Sequence, residues 1–460
     1  MKKLLALTLI IAGMLSIVGC ADNHTSDLDN TAESAAGTTA LTEAAAAEST
    51  TKAKPVYDYV HGEDGYYNIT DEMTEFDMKP QQYGTCWLYT ASASMETSYF
   101  KKNGSYISID PLHLLDILYL DEKNEGIFLK EGADEKEVGG LQWTVTERLS
   151  GGFDDLVLDS SVILDVNDRE AIKENVRKRG GVAVGVPDSD DSKKGWFGSY
   201  RTLNYHEMSS YDHDITIIGY DDHFPKEYFK EPASEDGAWI TYNSNNVLAG
   251  FYYVSYSAPL EFAISHSVTD QYGEVLSYDA GDEQALISMY TPYAEALGFD
   301  ISGLQNRSVR TEGSTKAANV FHKAGTLAAV GTYNDFGEQD IRIEIYDAEM
   351  TNLLYSQDAK LGCRGYHTID LAAPVDVTDC AVVITYPNGA PVEGESIDFR
   401  ELDPEALTPI GNFEYKTVSE KGQSFVYIGN RWKDLTDSDI KEVLKIDFAP
   451  NNCCIKAIYK

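Results

Sequence analysis

The pattern of apolar residues changes near residue 275, and no other feature narrows the possible folds as much. Upstream, helical and extended patterns both occur. From Thr85 to about Lys102 the pattern suits a helix, with Leu88, Ser92, Met95 and Tyr99 along one stripe. Asn167 or Asp168 is placed to cap a second helix that ends near Gly180-Gly181. Residues 182–186, 215–220, 239–242 and 251–256 then read as strands. Helices followed by strands predict an α+β domain. Downstream, short alternating runs take over at 341–345, 366–371, 381–386 and 425–428, with Gly, Asn, Asp and Pro between them. That texture predicts an antiparallel β-sandwich.

The first 55 residues carry a different message. Lys2 and Lys3 precede an apolar run over 4–18, shorter than the roughly 20 residues a membrane-spanning helix needs. The run closes on Val18-Gly19-Cys20. This resembles a bacterial lipobox, which implies that 1–19 is a lipoprotein signal peptide and that Cys20 is lipidated. Residues 20–55 are rich in Ala, Thr, Glu and Ser and contain no aromatic. Such a stretch buries too little apolar surface to offset its ordering entropy and is expected to be a disordered linker. The balance of 37 basic against 75 acidic residues, a net charge of −38, repels phosphate backbones and argues against a nucleic-acid partner. An exported chain can form disulfides. Cys363, Cys380, Cys453 and Cys454 allow three full pairings, of which the one joining the adjacent Cys453 and Cys454 is the most strained.

Chemistry concentrates in three blocks. In Gln81-Gln82-Tyr83-Gly84-Thr85-Cys86-Trp87 a cysteine enters the predicted helix at its N-terminus, where the helix dipole favours thiolate over thiol. A nearby imidazolium favours it further. An upstream Gln amide can join the Cys86 backbone N–H as a donor to a developing oxyanion. His213 heads an apolar strand in Asp212-His213-Asp214-Ile215, and Asn243 closes Trp239-Ile240-Thr241-Tyr242-Asn243-Ser244. His206 and His223 are rival bases, but neither leads into an apolar strand.

In this order the blocks resemble the active site of papain-family cysteine peptidases, over roughly residues 56–262. The family's His and Asn lie roughly 130–150 residues after its Cys; here the separations are 213 − 86 = 127 and 243 − 86 = 157. The resemblance implies a two-lobed papain-like domain at 56–270. Within it Cys86 would be the nucleophile, His213 the base and acid, and Asn243 the residue that orients His213. Gly139 and Gly140 would pair with substrate through their backbones, and no metal or cofactor is implied. The family's oxyanion Gln lies six residues before the Cys, a position held here by Pro80. With the segment one residue short, Gln81 is the first choice and Gln82 the second. Tyr83 stands where many relatives have a disulfide cysteine. Where the family often has Asn-Ser-Trp-Gly, this chain has Asn243-Ser244-Asn245-Asn246. Without that indole, the His213–Asn243 bond is expected to be wetter unless Trp239, Phe251 or Trp196 covers it.

Lys316-Ala317-Ala318-Asn319-Val320-Phe321 and Gly365-Tyr366-His367-Thr368-Ile369 resemble the lectin-like sandwich attached to many bacterial papain-family enzymes, at 275–460. Tyr333 and Trp432 could stack on sugars if exposed, but core packing is the preferred reading. Asp188-Ser189-Asp190-Asp191 offers oxygen ligands for calcium but lacks the glycine and distant glutamate of an EF-hand, so a solvated loop is preferred. The expectation is an extracytoplasmic, lipid-anchored peptidase acting on proteins or peptides, with glycan as a second partner through the sandwich. Two other readings stay open: a surface adhesin or carbohydrate-binding lipoprotein with a vestigial peptidase domain, and an acyltransferase or transglutaminase-type enzyme using the same triad.

Overall fold

One helix enclosed around its whole circumference organises the first half of the chain. Cys86–Asn103 hides every side chain from Cys86 through Tyr99, as a core helix does and a surface helix does not. Small polar residues permit the enclosure. Ser94 Oγ donates to the Gly181 carbonyl at 2.7 Å, and the Gly181 N–H donates to Thr97 Oγ1 at 2.8 Å. Gly180, at φ +129°, comes so close that a Cβ there would stand 2.6 Å from Ser98 N. The helix stops at Gly104 in the left-handed region (φ 68°), whose N–H reaches the Phe100 carbonyl. The second helix, Arg169–Lys178, starts at Asp168, whose carboxylate accepts the Ala171 N–H at 3.0 Å.

The computed structural model describes residues 59–118, 126–129, 134–136, 139–140, 142–187, 196–197, 201–206, 213–230, 233–245, 249–279, 281, 309–311, 315–394, 397–398, 413–446 and 449–460. The expectations for the signal peptide, Cys20, the 20–55 linker and the 188–191 loop lie outside these residues.

The central helix rests on a long sheet. Its order is Glu274–Leu276, Ile455–Tyr459, Gly325–Asn334, Arg364–Val377, Val157–Ile163, Ala263–Thr269, Val182–Val186, His213–Asp221, Ala238–Asn243 and Gly250–Ser255, continued by two short strands. Neighbours along these ten strands are antiparallel throughout. All nine residues of His213–Asp221 are buried, because the helix covers one face and Arg169–Lys178 packs on the other. A second sheet of six strands has the order Leu353–Leu361, Gln339–Tyr346, Cys380–Tyr386, Thr315–Phe321, Ser424–Ile428 and Arg431–Asp434.

The sandwich expected after residue 275 exists, but one of its two layers runs on into the sheet of the first half. Ala317, Ile343 and Ile384 of the six-stranded sheet pack against Leu327, Val330, Ile455 and Tyr459 of the long sheet. Those same long-sheet strands continue into the first half: Arg364 pairs with Ile163 and His367 with Ser160. Their other faces send Tyr333, Tyr366 and Cys454 into the cluster that holds Trp87, Leu88 and Trp143. Cys453 and Cys454 therefore enter opposite cores, and no disulfide joins any of the described cysteines. Tyr333 is not a sugar platform. It is 1% exposed, with its hydroxyl 3.1 Å from Ser150 Oγ. Trp432 lies edge-on against Tyr427. Between the two halves Lys456 meets Asp279 at 2.9 Å, both side chains almost wholly buried, and also donates to Ser277 Oγ at 2.8 Å. A buried pair of this kind adds little net stability, because removing both charges from water offsets their attraction.

Candidate active site

Three neighbouring elements carry the sequence-derived residues. Cys86 opens the central helix, His213 opens the strand beneath it, and Asn243 ends the neighbouring strand. His213 Nε2 and Asn243 Oδ1 are 2.9 Å apart. The proton position on this bond is fixed by a third group. Asn243 Oδ1 also accepts the Asn245 backbone N–H at 2.9 Å, and a backbone N–H can only donate. The atom facing His213 is thus an acceptor, Nε2 carries the hydrogen, and Nδ1 is left as the basic nitrogen.

That bond is dry. His213 and Asn243 are each 3% exposed, although no tryptophan follows Ser244. A wetter bond is expected only where nothing covers it, and here the pair is enclosed. The rival His206 is exposed, and His223 sits in the turn after Asp221.

The two Gln candidates separate cleanly. Gln81 is buried, and its backbone N–H donates to the Ser244 carbonyl at 2.6 Å. Its Oε1 accepts Ser244 Oγ–H at 3.1 Å and its Nε2 donates one hydrogen to the Tyr83 carbonyl at 2.9 Å. The second Nε2 hydrogen is not taken by any described group. Gln82 is exposed. The segment before Gln81 is bolted down: Lys79 pairs with buried Glu96 and donates to the Ile109 carbonyl at 2.9 Å, while the Tyr242 hydroxyl donates to the Lys79 carbonyl.

Gly139 and Gly140 line the Cys86 loop for steric reasons. Gly139 has φ +71°, and a Cβ on Gly140 would stand 2.2 Å from Trp87 Cε2. Only glycine allows this approach. Nearby, the Gly84 N–H donates to the Lys136 carbonyl at 2.8 Å, and the Lys136 ammonium lies 5.1 Å from the Tyr83 ring centroid. A hydrogen bond and a cation–π contact thus tie this loop to Lys136.

Sequence reasoning missed a second polar layer behind the first. Gln142 Nε2 donates to both the Trp87 carbonyl and Asp214 Oδ2, each at 2.8 Å. Its Oε1 faces His266 Nε2 at 3.0 Å, and His266 Nδ1 faces Ser161 Oγ at 2.8 Å. Burial drives His266 down to about 3, and burial, reinforced by the charge of Cys86, holds the Asp214 carboxyl well above the usual range. The one available signal was a carboxylate placed between His213 and an apolar run. Among the described residues no group of three or more His, Cys, Asp or Glu side chains is arranged to hold a metal ion.

The family model described as "Lectin like domain" matches residues 298–459. Two solved structures of one protein match most of the chain. One contains the cysteine protease and lectin-like domains of Cwp84, a surface layer associated protein of Clostridium difficile. It is 16% identical with a TM-score of 0.62, covering 86% of this chain and 89% of that one. The other is a cysteine-to-alanine form of this clostridial cysteine protease after propeptide cleavage, 17% identical with a TM-score of 0.62, covering 85% of this chain and 98% of that one. No curated protein matches. At these identities the likeness is one of fold: a peptidase-like domain joined to a lectin-like domain.

Proposed function

We propose that the chain is an extracytoplasmic cysteine peptidase that hydrolyses peptide bonds through an acyl-enzyme. The observation that carries this reading is the buried His213–Asn243 bond, with its defined tautomer, beside a helix that begins at Cys86. His213 Nδ1 takes the Cys86 proton, and the thiolate is favoured by the helix N-terminus. Cys86 Sγ attacks the substrate carbonyl carbon. The second Gln81 N–H and the Cys86 backbone N–H receive the resulting oxyanion. His213 then protonates the leaving amine, and water, deprotonated by the same nitrogen, releases the acid and regenerates the thiol. Gly139 and Gly140 offer backbone groups to the bound peptide.

The test uses the exported chain and a mixed peptide library. Cys86→Ala and His213→Ala are expected to lose turnover while keeping the parent's far-ultraviolet circular dichroism. Full turnover in Cys86→Ala would remove the reading. Adding free amines separates hydrolysis from acyl transfer, which would yield amide products. Anchoring through Cys20 belongs to the same proposal: Cys20→Ser should shift the protein out of the membrane fraction, and unchanged partitioning would refute it. The lectin-like match makes glycan a second proposed partner, to be tested on a glycan array with Cys86→Ala protein.

A further inference from the structure

Gln142 is wholly buried and has both Nε2 hydrogens and its Oε1 engaged. One hydrogen goes to the Trp87 carbonyl and the other to Asp214 Oδ2, each at 2.8 Å. A backbone carbonyl can only accept, which fixes the orientation of the amide. Oε1 is then the atom facing His266 Nε2 at 3.0 Å, so the hydrogen between them lies on His266. His266 Nδ1 accordingly accepts from the Ser161 hydroxyl at 2.8 Å. His266 is itself held in place. Its backbone N–H donates to Ser94 Oγ of the central helix at 2.9 Å, and it pairs directly with Ser161 across two strands of the long sheet. The amide therefore stands on a rigid footing, and turning it would leave buried polar groups without partners.

This footing holds the turn that carries Cys86. Two local supports are missing from that turn. Thr85, at the N-cap of the helix, makes no capping hydrogen bond with its side chain. The indole N–H of Trp87 is buried and has no hydrogen-bond partner among the described residues. Support comes from the segment that contains Gly139 and Gly140, which lie three and two residues before Gln142. Gly140 packs so close to the Trp87 ring that a Cβ there would stand 2.2 Å from Cε2. The same short segment thus meets Trp87 twice, at its ring through Gly140 and at its backbone through Gln142. The packing contact resists approach and the hydrogen bond resists separation. Together they fix one distance, that between the Cys86 turn and the glycine pair.

Resting on the reading of Cys86 and of the glycine pair given above, we propose that Gln142 is a positioning residue that sets the gap between the nucleophile and the glycine backbone along which a peptide lies. It touches neither the substrate nor the reacting atoms. A peptide held by its backbone at Gly139 and Gly140 brings its scissile carbonyl to Cys86 only when that gap matches the spacing of the peptide. A misplacement of about 1 Å at a reacting centre costs on the order of 10²-fold in rate. A substrate too short to reach the glycine pair is indifferent to the gap. Gln142 therefore makes the enzyme favour peptides that extend several residues before the cleaved bond.

The test uses the whole chain and two fluorogenic substrates, one with a single residue before the scissile bond and one with three. The parent is compared with Gln142→Met, which keeps the length of the side chain and adapts to a buried site but offers Trp87 no donor. The ratio of kcat/KM, long substrate over short, should fall by about fivefold or more, the least expected when a buried partner is left unsatisfied. Turnover of the short substrate and alkylation of Cys86 by iodoacetamide should stay close to the parent's. A merely structural loss lowers the amount of folded enzyme and scales both substrates alike, so it leaves the ratio unmoved. An unchanged ratio in Gln142→Met, or a parent with no preference for the longer substrate, would overturn this inference. A parent that turns over neither substrate, or a Cys86→Ala variant that turns over both, would instead overturn the reading on which it rests. If the Asp214 carboxyl, left without its donor, keeps Gln142→Met from folding, Gln142→Met combined with Asp214→Val removes both partners. Such a replacement can be nearly neutral for stability, and the same ratio then decides.

Discussion

Removing the Asn243 side chain is a sharp probe of the site, because its effect follows from two distances. Asn243→Ala deletes the acceptor that lies 2.9 Å from His213 Nε2 and 2.9 Å from the Asn245 N–H. His213 is 3% exposed, so solvent cannot readily replace the lost oxygen. Leaving a buried donor without its partner costs about 1–3 kcal/mol. If the imidazole must hold this orientation to take and give a proton, the loss appears in the barrier. At about 1.4 kcal/mol per factor of ten, kcat/KM should fall roughly 5- to 150-fold. The assay is kcat/KM on one fluorogenic peptide, with Cys86 alkylation measured in parallel. Both should fall, while the urea midpoint moves by no more than a buried hydrogen bond accounts for. A variant within twofold of the parent in both assays would refute the argument that a dry Asn243 bond orients His213.

Gln81→Ala should lower kcat by on the order of 10²–10³, the usual result of losing one oxyanion donor, whereas Gln82→Ala, at an exposed position, should change it less than threefold; the reverse order in steady-state kinetics would move the assignment by one residue. A specific protease site inserted between residues 282 and 308 should allow complete cutting without separating the pieces on size exclusion, since Arg364–Val377 pairs with Val157–Ile163; elution as two species would contradict the shared sheet. Acid should destabilise the fold below about pH 6.5. His266 is held neutral down to about 3 and His367 to about 4, so the unfolded chain takes up these protons first, and each group lowers stability by up to about 1.4 kcal/mol per pH unit as the pH falls. Urea midpoints that stay flat from pH 7 to 5 would refute that assignment.

The parts of this architecture visible in the sequence are those governed by local pattern. The helix after Thr85 is announced by a polar entry and by Gly104 at its end. The strand at 182–186 is a continuous apolar run and that at 215–220 a largely apolar one, with His213 just before it. Long-range pairing leaves no such trace. Nothing in the alternation of Tyr366, Thr368 and Asp370 says that the same strand joins Val157–Ile163. Core packing is the preferred reading of Tyr333 from sequence, but only the fold shows that strands on both sides and a helix above enclose it. Asp214 stands beside His213 in its block with nothing to mark what it meets. Its partner Gln142 lies 72 positions away, and His266, which meets Gln142 in turn, 52; only the fold brings them together.

The shared sheet of the sandwich also imposes an order in time. Ile455–Tyr459 fills the gap between Glu274–Leu276 and Gly325–Asn334, and Cys454 just before it closes the cluster around Trp87. These residues are synthesised about 370 positions after Cys86. A nascent chain that has already exposed its thiol, its histidine and its asparagine still lacks one wall of the core beneath them. Under the proposed function, hydrolytic competence should therefore arrive late and abruptly, when the strand of residues 455–459 docks, and a chain truncated before residue 455 should remain inert.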